Sequence, residues 1–397
     1  MSKTFWLLNR NIAADRMATP MTLRPLVKNS LCAAAFFAAS LLVSSESLAQ
    51  DATQPGFTRI QGETQGAAPP PPSVRTMVRD FREDMRSFIQ QISNYARSID
   101  PNFSIIVRDP EELIIKRDVQ DETMISPART FMLSIDGVMF DGVFRGDRVL
   151  GKPPAPELQK ETLERIQRAK QNGLPVFLLD FAAKPAEIDE VIRSADKLDA
   201  IVNVLPVPEN LMTTLPTYPR RPHNENPRNV LSLHDVKNFT YIANPRAWGR
   251  QDQFAFAMHD SNYDMLIVDP FIGREPLSGQ AVATLKYKKI GAQRLVFARA
   301  DITSAMSHRY YWKSGWTEGY PSFIGAPFPG EPDRYFVDYW DPAWQQLIFG
   351  SPQSFIYGLI KQGYNGVLLE GMQTYLAFEG NVEIPQAFAP MVLSEEK

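Results

Sequence analysis

Asp109, Asp141, Asp180, Asp269, Asp301 and Glu370 each stand at or just past the end of a short apolar run. In a sheet of parallel strands closed into a barrel, that position faces one mouth. A pair of carboxylates, one kept protonated by its surroundings and one ionised, is the minimum equipment for breaking a glycosidic bond. A plainer account makes each acid the cap of the following helix, since aspartate is a favoured N-cap. Capping requires fewer acids than this, and glutamate, the type at position 370, is not a favoured cap. Other chemistries lack their residues. His223, His234, His259 and His308 have no metal-ligand spacing, and the chain has neither a G-x-S-x-G elbow nor a P-loop. No cofactor and no metal is expected.

The elements that must position these acids follow from hydrophobic periodicity. Apolar runs rich in β-branched residues alternate with longer amphipathic ones, as when parallel strands are joined by helical crossovers. The strands predicted are Phe103–Val107, Phe131–Phe140, Pro175–Leu179, Ala200–Leu205, Phe239–Ala243, Met265–Val268, Arg294–Ala298 and Gly366–Leu369. The clearest helix is Pro156–Asn172, with Leu158, Leu163, Ile166 and Ala169 on one face and a stop at Gly173. Further helices are predicted over Ser73–Ile99, Pro185–Lys197, Gln280–Lys289 and Trp344–Gln362. Eight strands in this order point to an α/β fold, a (β/α)8 TIM barrel. An open doubly wound sheet shares the local pattern, but no strand is followed by a Gly-rich phosphate loop. The long irregular stretch from Pro206 to Asp235, dense in proline, reads as a join between two halves.

Arg24 and Lys28 precede an apolar run from Leu31 to Val43, and Ser47-Leu48-Ala49 supplies small residues at a cleavage site. Residues 1–49 are read as a signal peptide cleaved near Ala49, giving an exported protein, periplasmic or secreted. Met17 or Met21 would each start a leader of more ordinary length. The apolar run is shorter than the roughly 20 residues a bilayer core needs, so no membrane insertion is expected. Residues 50–72, rich in Gly, Gln, Ala and Pro, read as a disordered linker, and 73–397 as one barrel. The single cysteine, Cys32, lies in the leader, leaving no thiol, disulfide or cysteine metal site after cleavage. Removing the leader takes away five bases and two acids and moves the formal charge from −3 to −6. A mildly acidic exported protein suits a neutral or cationic polymer better than nucleic acid.

Five of the six tryptophans, Trp248, Trp312, Trp316, Trp340 and Trp344, share one region with Tyr310, Tyr311 and Tyr339. Such rings can stack on sugars, and equally can pack a core. Four motifs stand out in succession: Tyr263-Asp264-Met265-Leu266-Ile267-Val268-Asp269, Arg309-Tyr310-Tyr311-Trp312, Asp338-Tyr339-Trp340-Asp341-Pro342-Ala343-Trp344, and Gly363-Tyr364-Asn365-Gly366-Val367-Leu368-Leu369-Glu370. In these the chain, from Ser73 to Phe378, resembles the endo-α-1,4-polygalactosaminidase-like family of glycoside hydrolases. That resemblance implies a (β/α)8 barrel acting on α-1,4-linked galactosamine polymers, so a polysaccharide is the expected partner. Segments matching the family's second half, Met85–Arg97, Asn102–Leu113, Ile135–Phe144 and Val176–Phe181, come first here. The resemblance therefore implies circular permutation, family strands 5–8 preceding strands 1–4, with the old ends joined through 206–235.

Carried over by resemblance, the family's strand-four aspartate falls on Glu370, the nucleophile position, and its strand-six glutamate on Asp141, the acid/base position of a retaining mechanism. Each position keeps a carboxylate but exchanges its length by one methylene, roughly 1.5 Å, where a 1 Å misplacement can cost on the order of 100-fold in rate. The exchange leaves open which of the two is protonated. Asp269 and Asp180 would bind sugar hydroxyls or an ammonium group, and Tyr311, Trp312 and Trp340 would stack. Asp109, Asp301, Arg309 and Tyr339 complete the expected substrate-binding set. Two segments depart from the family: Arg299-Ala300-Asp301-Ile302-Thr303 replaces a Gly-Glu-rich stretch, and Arg108-Asp109 an Asn-containing strand end. A barrel that binds an exopolysaccharide without cleaving it is thus the alternative, and a purely structural barrel whose acids are caps a third.

Overall fold

The computed structural model describes residues 79–118, 121, 123–380 and 388–393. The leader and linker expected over 1–72 lie outside the described residues. No helix among those described is long and apolar enough to cross a membrane.

Eight parallel strands form one sheet: β1 (Ser104–Arg108), β2 (Gly137–Asp141), β3 (Val176–Phe181), β4 (Ile201–Leu205), β5 (Phe239–Ile242), β6 (Met265–Val268), β7 (Leu295–Asp301) and β8 (Gly366–Glu370). Each is bonded to its neighbours in the order β4-β3-β2-β1-β8-β7-β6-β5. The first strand is thus paired with both the second and the last, Ile106 lying opposite Gly137 and Leu368. Chain order and ring order coincide, as in a (β/α)8 barrel. One seam remains, between β4 and β5, where the Tyr241 backbone N–H donates to the Asn203 side-chain oxygen at 3.3 Å in place of a backbone ladder. The fold is a nearly closed TIM barrel with helices between its strands.

Helices α1 (Phe81–Ile99), α2 (Pro156–Gln171), α3 (Pro185–Lys197), α4 (Gln251–His259), α5 (Gly279–Leu285), α6 (Pro342–Ile348), α7 (Phe355–Gln362) and α8 (Tyr375–Glu379) surround the sheet. Local chemistry sets their ends. Asp80 caps α1 by accepting from the Glu83 N–H, and proline opens α2 and α3, where the missing N–H costs nothing. The single helix predicted over Trp344–Gln362 is instead two. Phe349 is extended and Gly350 takes a φ of 95°, breaking the run ahead of Pro352. The strand predicted from Phe131 begins only at Gly137. Residues Arg129–Met132 form a helical turn, and Asp136 pins the strand start by accepting from the Ile105 N–H at 2.7 Å. Helix α4 went unpredicted, since Phe256 on it is 71% exposed and blurs the apolar face. Between β7 and α6 lies an unpredicted three-stranded antiparallel sheet, Ser304–Met306, Ile324–Phe328 and Glu331–Val337.

The barrel interior is filled by Ile106, Met139, Phe177, Leu179, Phe239, Ile267, Phe297 and Leu368, on alternate positions of their strands. Gly366 has to be small, because a Cβ there would lie 2.3 Å from both the Phe297 ring and the Ser104 carbonyl oxygen. The outward alternates, such as Val107, Val138 and Leu178, pack under the helices.

Candidate active site

The same alternation that fills the barrel builds the site. Two residues beyond the inward apolar positions Ile106, Met139, Phe239, Ile267, Phe297 and Leu368 come Arg108, Asp141, Tyr241, Asp269, Arg299 and Glu370. They form the layer above the apolar core. Gly371, at a φ of 90°, turns the chain away immediately after Glu370, and a Cβ there would lie 2.0 Å from Thr303 Oγ1.

Arg108 is the hub. Its Nη1 donates to Glu370 Oε1 at 2.9 Å and to the Tyr241 hydroxyl at 3.0 Å, and its Nε donates to Asp141 Oδ2 at 3.0 Å. Its Nη2 contacts Asp141 and donates to Glu209 Oε2 at 2.6 Å. Glu370 also accepts from Arg299 Nε and Nη2, at 2.8 and 2.6 Å, and from the Tyr241 hydroxyl at 2.6 Å. Asp141 Oδ1 is buried without a hydrogen-bond partner among the described residues.

The two carboxylates are driven to opposite protonation states. Glu370 is buried and Asp141 largely so, which by itself raises a carboxyl pKa. For Glu370 the two guanidiniums Arg299 and Arg108, with their hydrogen bonds and that of Tyr241, outweigh burial and hold it down at about 2. For Asp141 burial wins, and although Arg108 opposes it, Asp109 and Glu209 add to it, so the group lies well above the ordinary aspartate range. Arg108 and Arg299 face more acids than they can neutralise. Burial followed by the charge of Glu111 pushes Asp109 up to about 8, and burial carries Glu111 to about 7.

The other anticipated residues divide. Asp269 joins the layer, bound by Arg309 at 2.9 and 2.6 Å and by the Phe271 N–H at 3.0 Å. Asp109 sits at a positive φ of 50°, and its Oδ1 accepts from the Asp141 N–H at 3.0 Å. Asp180 lies one position out of phase with the inward residues of β3. It is fully buried and accepts from the Phe144 and Arg145 N–H groups at 2.7 and 2.6 Å; burial pushes it up to about 7. Its partners give it the work of shaping the loop after β2. Asp301 binds Arg334 at 2.6 Å, Ser304 Oγ at 2.5 Å and the Thr303 N–H at 3.0 Å, anchoring the small sheet.

The stacking residues are placed otherwise than expected. Tyr339 is fully buried with its hydroxyl on the Phe81 carbonyl, and Trp340 packs against Phe81 and Phe378. Trp312 stacks on Tyr335, and Tyr311 meets Trp344 edge-on while its hydroxyl accepts from the Met306 N–H. Each of these rings is packed against another aromatic side chain. The structure does not bring these four to the lining of the strand-end cleft.

That cleft measures about 810 Å³ and is lined among others by Arg108, Asp141, Glu209, Asp269, Arg299 and Arg309. A neighbouring hollow of about 570 Å³ holds Asp109, Glu111 and Arg165 and shares Asp141 with it. Exposed His308 also lines the larger cleft. Arg108, Arg299, Tyr241 and Glu209 were absent from the anticipated site. Alternation along the strands was the signal for the first three, whereas Glu209 lies on the irregular segment and had none. Among the described residues no group of His, Cys, Asp and Glu is arranged to hold a metal.

Fold and site together define a TIM-like barrel with a charged cleft at the C-terminal ends of its strands, the face where barrel enzymes carry their chemistry. No family model matches the chain. Over 136 residues, 34% of its length, the chain is 29% identical to an uncharacterized protein of Deinococcus radiodurans. Over 133 residues, 29% of its length, it is 28% identical to an uncharacterized protein of Thermotoga maritima. The chain spans 41% and 40% of the lengths of these relatives. Among solved structures it is similar to a U32 peptidase, with a TM-score of 0.28 and 10% identity over 68% of this chain and 93% of the other. It is also similar to dihydropteroate synthase of Thermus thermophilus, with a TM-score of 0.30 and 14% identity over 70% and 91% of the two chains. Likenesses this distant carry nothing about chemistry, and the barrel rests on its own strand order.

Proposed function

We propose that the protein is an exported glycoside hydrolase acting on an α-1,4-linked galactosamine-type polysaccharide, with Asp141 as proton donor and Glu370 as the ionised carboxylate. The observation that carries this reading is the split within one layer of the barrel: Glu370 held down at about 2 and Asp141 pushed up. Two carboxyl groups driven apart in this way are how an acid and its anionic partner are assigned in glycosidases. Asp141 would protonate the leaving oxygen. Glu370 would face the positive charge that develops on the sugar, as nucleophile or as a fixed counter-charge. The motifs that resemble the polygalactosaminidase-like family support the substrate class, and the seam between β4 and β5 fits a chain whose old ends were joined there.

One observation favours the second reading, a barrel that binds such a polymer without cutting it. The Arg108 guanidinium contacts both carboxylates, and the Glu370 oxygens already accept bonds from Arg108, Arg299 and Tyr241.

The two are separated by incubating wild type, Glu370→Gln and Asp141→Asn with partly deacetylated α-1,4-galactosaminan and following reducing ends. The hydrolase reading expects release by the wild type and a fall of about 10²- to 10⁴-fold on replacing Asp141. Polymer retained without release by the wild type supports the binding barrel, and neither release nor retention removes both.

A further inference from the structure

The carboxylates that share Arg108 do not all come from the barrel. Asp141 and Glu370 end strands β2 and β8, but Glu209 opens a short 3-10 turn, Glu209–Leu211, on the segment that crosses the seam from β4 to β5. Pro208 precedes it in an extended conformation and its carbonyl accepts from the Leu211 N–H at 2.9 Å, which fixes the turn. From there Glu209 reaches Arg108 twice, Oε2 to Nη2 at 2.6 Å and Oε1 to Nη1 at 3.4 Å. The same two nitrogens serve Asp141 and Glu370. The guanidinium is also constrained from one face, standing 5.0 Å over the Tyr241 ring. Asp141 holds it on the β2 side through Nε and Nη2, and Glu209 holds it on the seam side.

We propose that Glu209 is a positioning residue for the chemistry of the cleft: it draws Arg108 toward the seam and withholds part of that positive charge from Asp141, so that Asp141 keeps a proton to donate. The inference rests on the glycosidase reading for its consequence in catalysis, and on geometry alone for its effect on Asp141. The groups around Asp141 are Arg108 and Asp109 at the end of β1, Glu111 just beyond, Arg145 and Asp147 in the loop after β2, and Asp180 on β3. Glu209 at the seam, Tyr241 on β5, Arg299 on β7 and Glu370 on β8 share the layer, and Glu112, Arg148, and Glu161 and Arg165 of α2 line the hollow on its other side. Of these, Glu209 combines a direct hold on Arg108 with a place outside the sheet, so replacing it leaves every barrel strand intact. Glu209→Gln removes one negative charge near Asp141 and frees Arg108 to pair with Asp141 more fully, and both changes favour the ionised form.

The test is the pH dependence of kcat/KM on the galactosamine polymer for wild type, Glu209→Gln and Glu209→Asp, beside a carboxyl-carbon NMR titration of Asp141 in the full chain without substrate. The alkaline limb, which reports loss of the donated proton, is expected to move down by about one pH unit in Glu209→Gln. Glu209→Asp should restore most of that shift, and the Asp141 titration should move in the same direction. A Glu209→Gln protein that is slower at every pH, with the limb and the Asp141 titration unmoved, overturns the proposal and leaves Glu209 a structural tie. A wild type that releases no reducing ends defeats the glycosidase reading alone; the titration, which needs no substrate, then still decides whether Glu209 governs the proton on Asp141.

Discussion

The two ends of the barrel each bury an ion cluster, built on opposite terms. At the N-terminal end Lys288 and Asp264 meet at 2.5 Å, with both side chains at 0% exposure. Every remaining bond is taken up: Lys288 Nζ donates to the Asn226 and Arg228 carbonyls, and Asp264 accepts from the Asn226 side chain and the Lys237 N–H. Those partners belong to the irregular segment before β5, so the pair clamps that segment to the barrel. At the C-terminal end one guanidinium serves three carboxylates, Asp141 keeps an oxygen without a partner among the described residues, and Asp141 and Glu209 remain 24% and 25% exposed beside a cleft. A cluster that satisfies all its members fixes structure, whereas one with acids in excess and an opening keeps a proton in play.

The largest test of this contrast is to break each cluster at its cation. Lys288→Met strands the Asp264 charge in a site with no outlet to solvent, and should cost about 3–5 kcal/mol of stability, read from denaturant midpoints. Arg108→Met should cost less, because the acids it leaves can take up protons beside an open cleft. Equal losses would mean that the two ends are not different in kind.

A second test uses pH, because buried acids on the upper face contribute with opposite signs. Asp180, pushed up to about 7 by burial, holds its proton more tightly folded than unfolded. Its contribution is full below an ordinary aspartate pKa of about 3.9 and is lost as pH rises through about 7. Glu370, held at about 2, behaves conversely: its contribution is full above an ordinary glutamate pKa and is lost as pH falls through about 2. Asp180→Asn keeps an acceptor for the Phe144 and Arg145 N–H groups and removes the titration. The variant should therefore lose less thermal stability than wild type between pH 5 and pH 8, and parallel curves would exclude Asp180 as a source of the slope.

The barrel was legible because its strands are short apolar runs separated by helices, and Met265–Val268 and Pro185–Lys197 were placed to the residue. What misled were local breaks that composition hides, such as Gly350 within an apparently continuous helix and the helical turn at Arg129–Met132. In the site, position at a strand end brought Asp141, Asp269 and Glu370 together, but it also admitted Asp180, which the two-residue alternation puts on the other face of β3. Applied to bases as well as acids, that alternation would have picked out Arg108 and Arg299 directly. The aromatic residues misled for a different reason: a cluster in sequence, Trp312 to Trp344, satisfied itself in space. Glu209 was illegible, since its contact depends on how an irregular segment crosses the seam.

The finest distinction concerns how much of the hold on Glu370 comes from charge and how much from a neutral donor. Tyr241 stays a phenol, its pKa driven well above 10 by burial, so its hydroxyl donates to Glu370 Oε1 while accepting from Arg108. Tyr241→Phe removes that donor, keeps the ring beneath both guanidiniums and leaves the bonds from Arg108 and Arg299 in place. A hydrogen bond to a charged group contributes about 1.5–3 kcal/mol, and the lower end is expected where two cations remain. Glu370 then titrates above about 2, so the acid limb of the stability profile should begin at a higher pH in the variant, while the profile above pH 5 stays close to wild type. Coincident acid limbs would assign the ionised state of Glu370 to the arginines alone, and the phenol would then serve the cleft by fixing Arg108 instead.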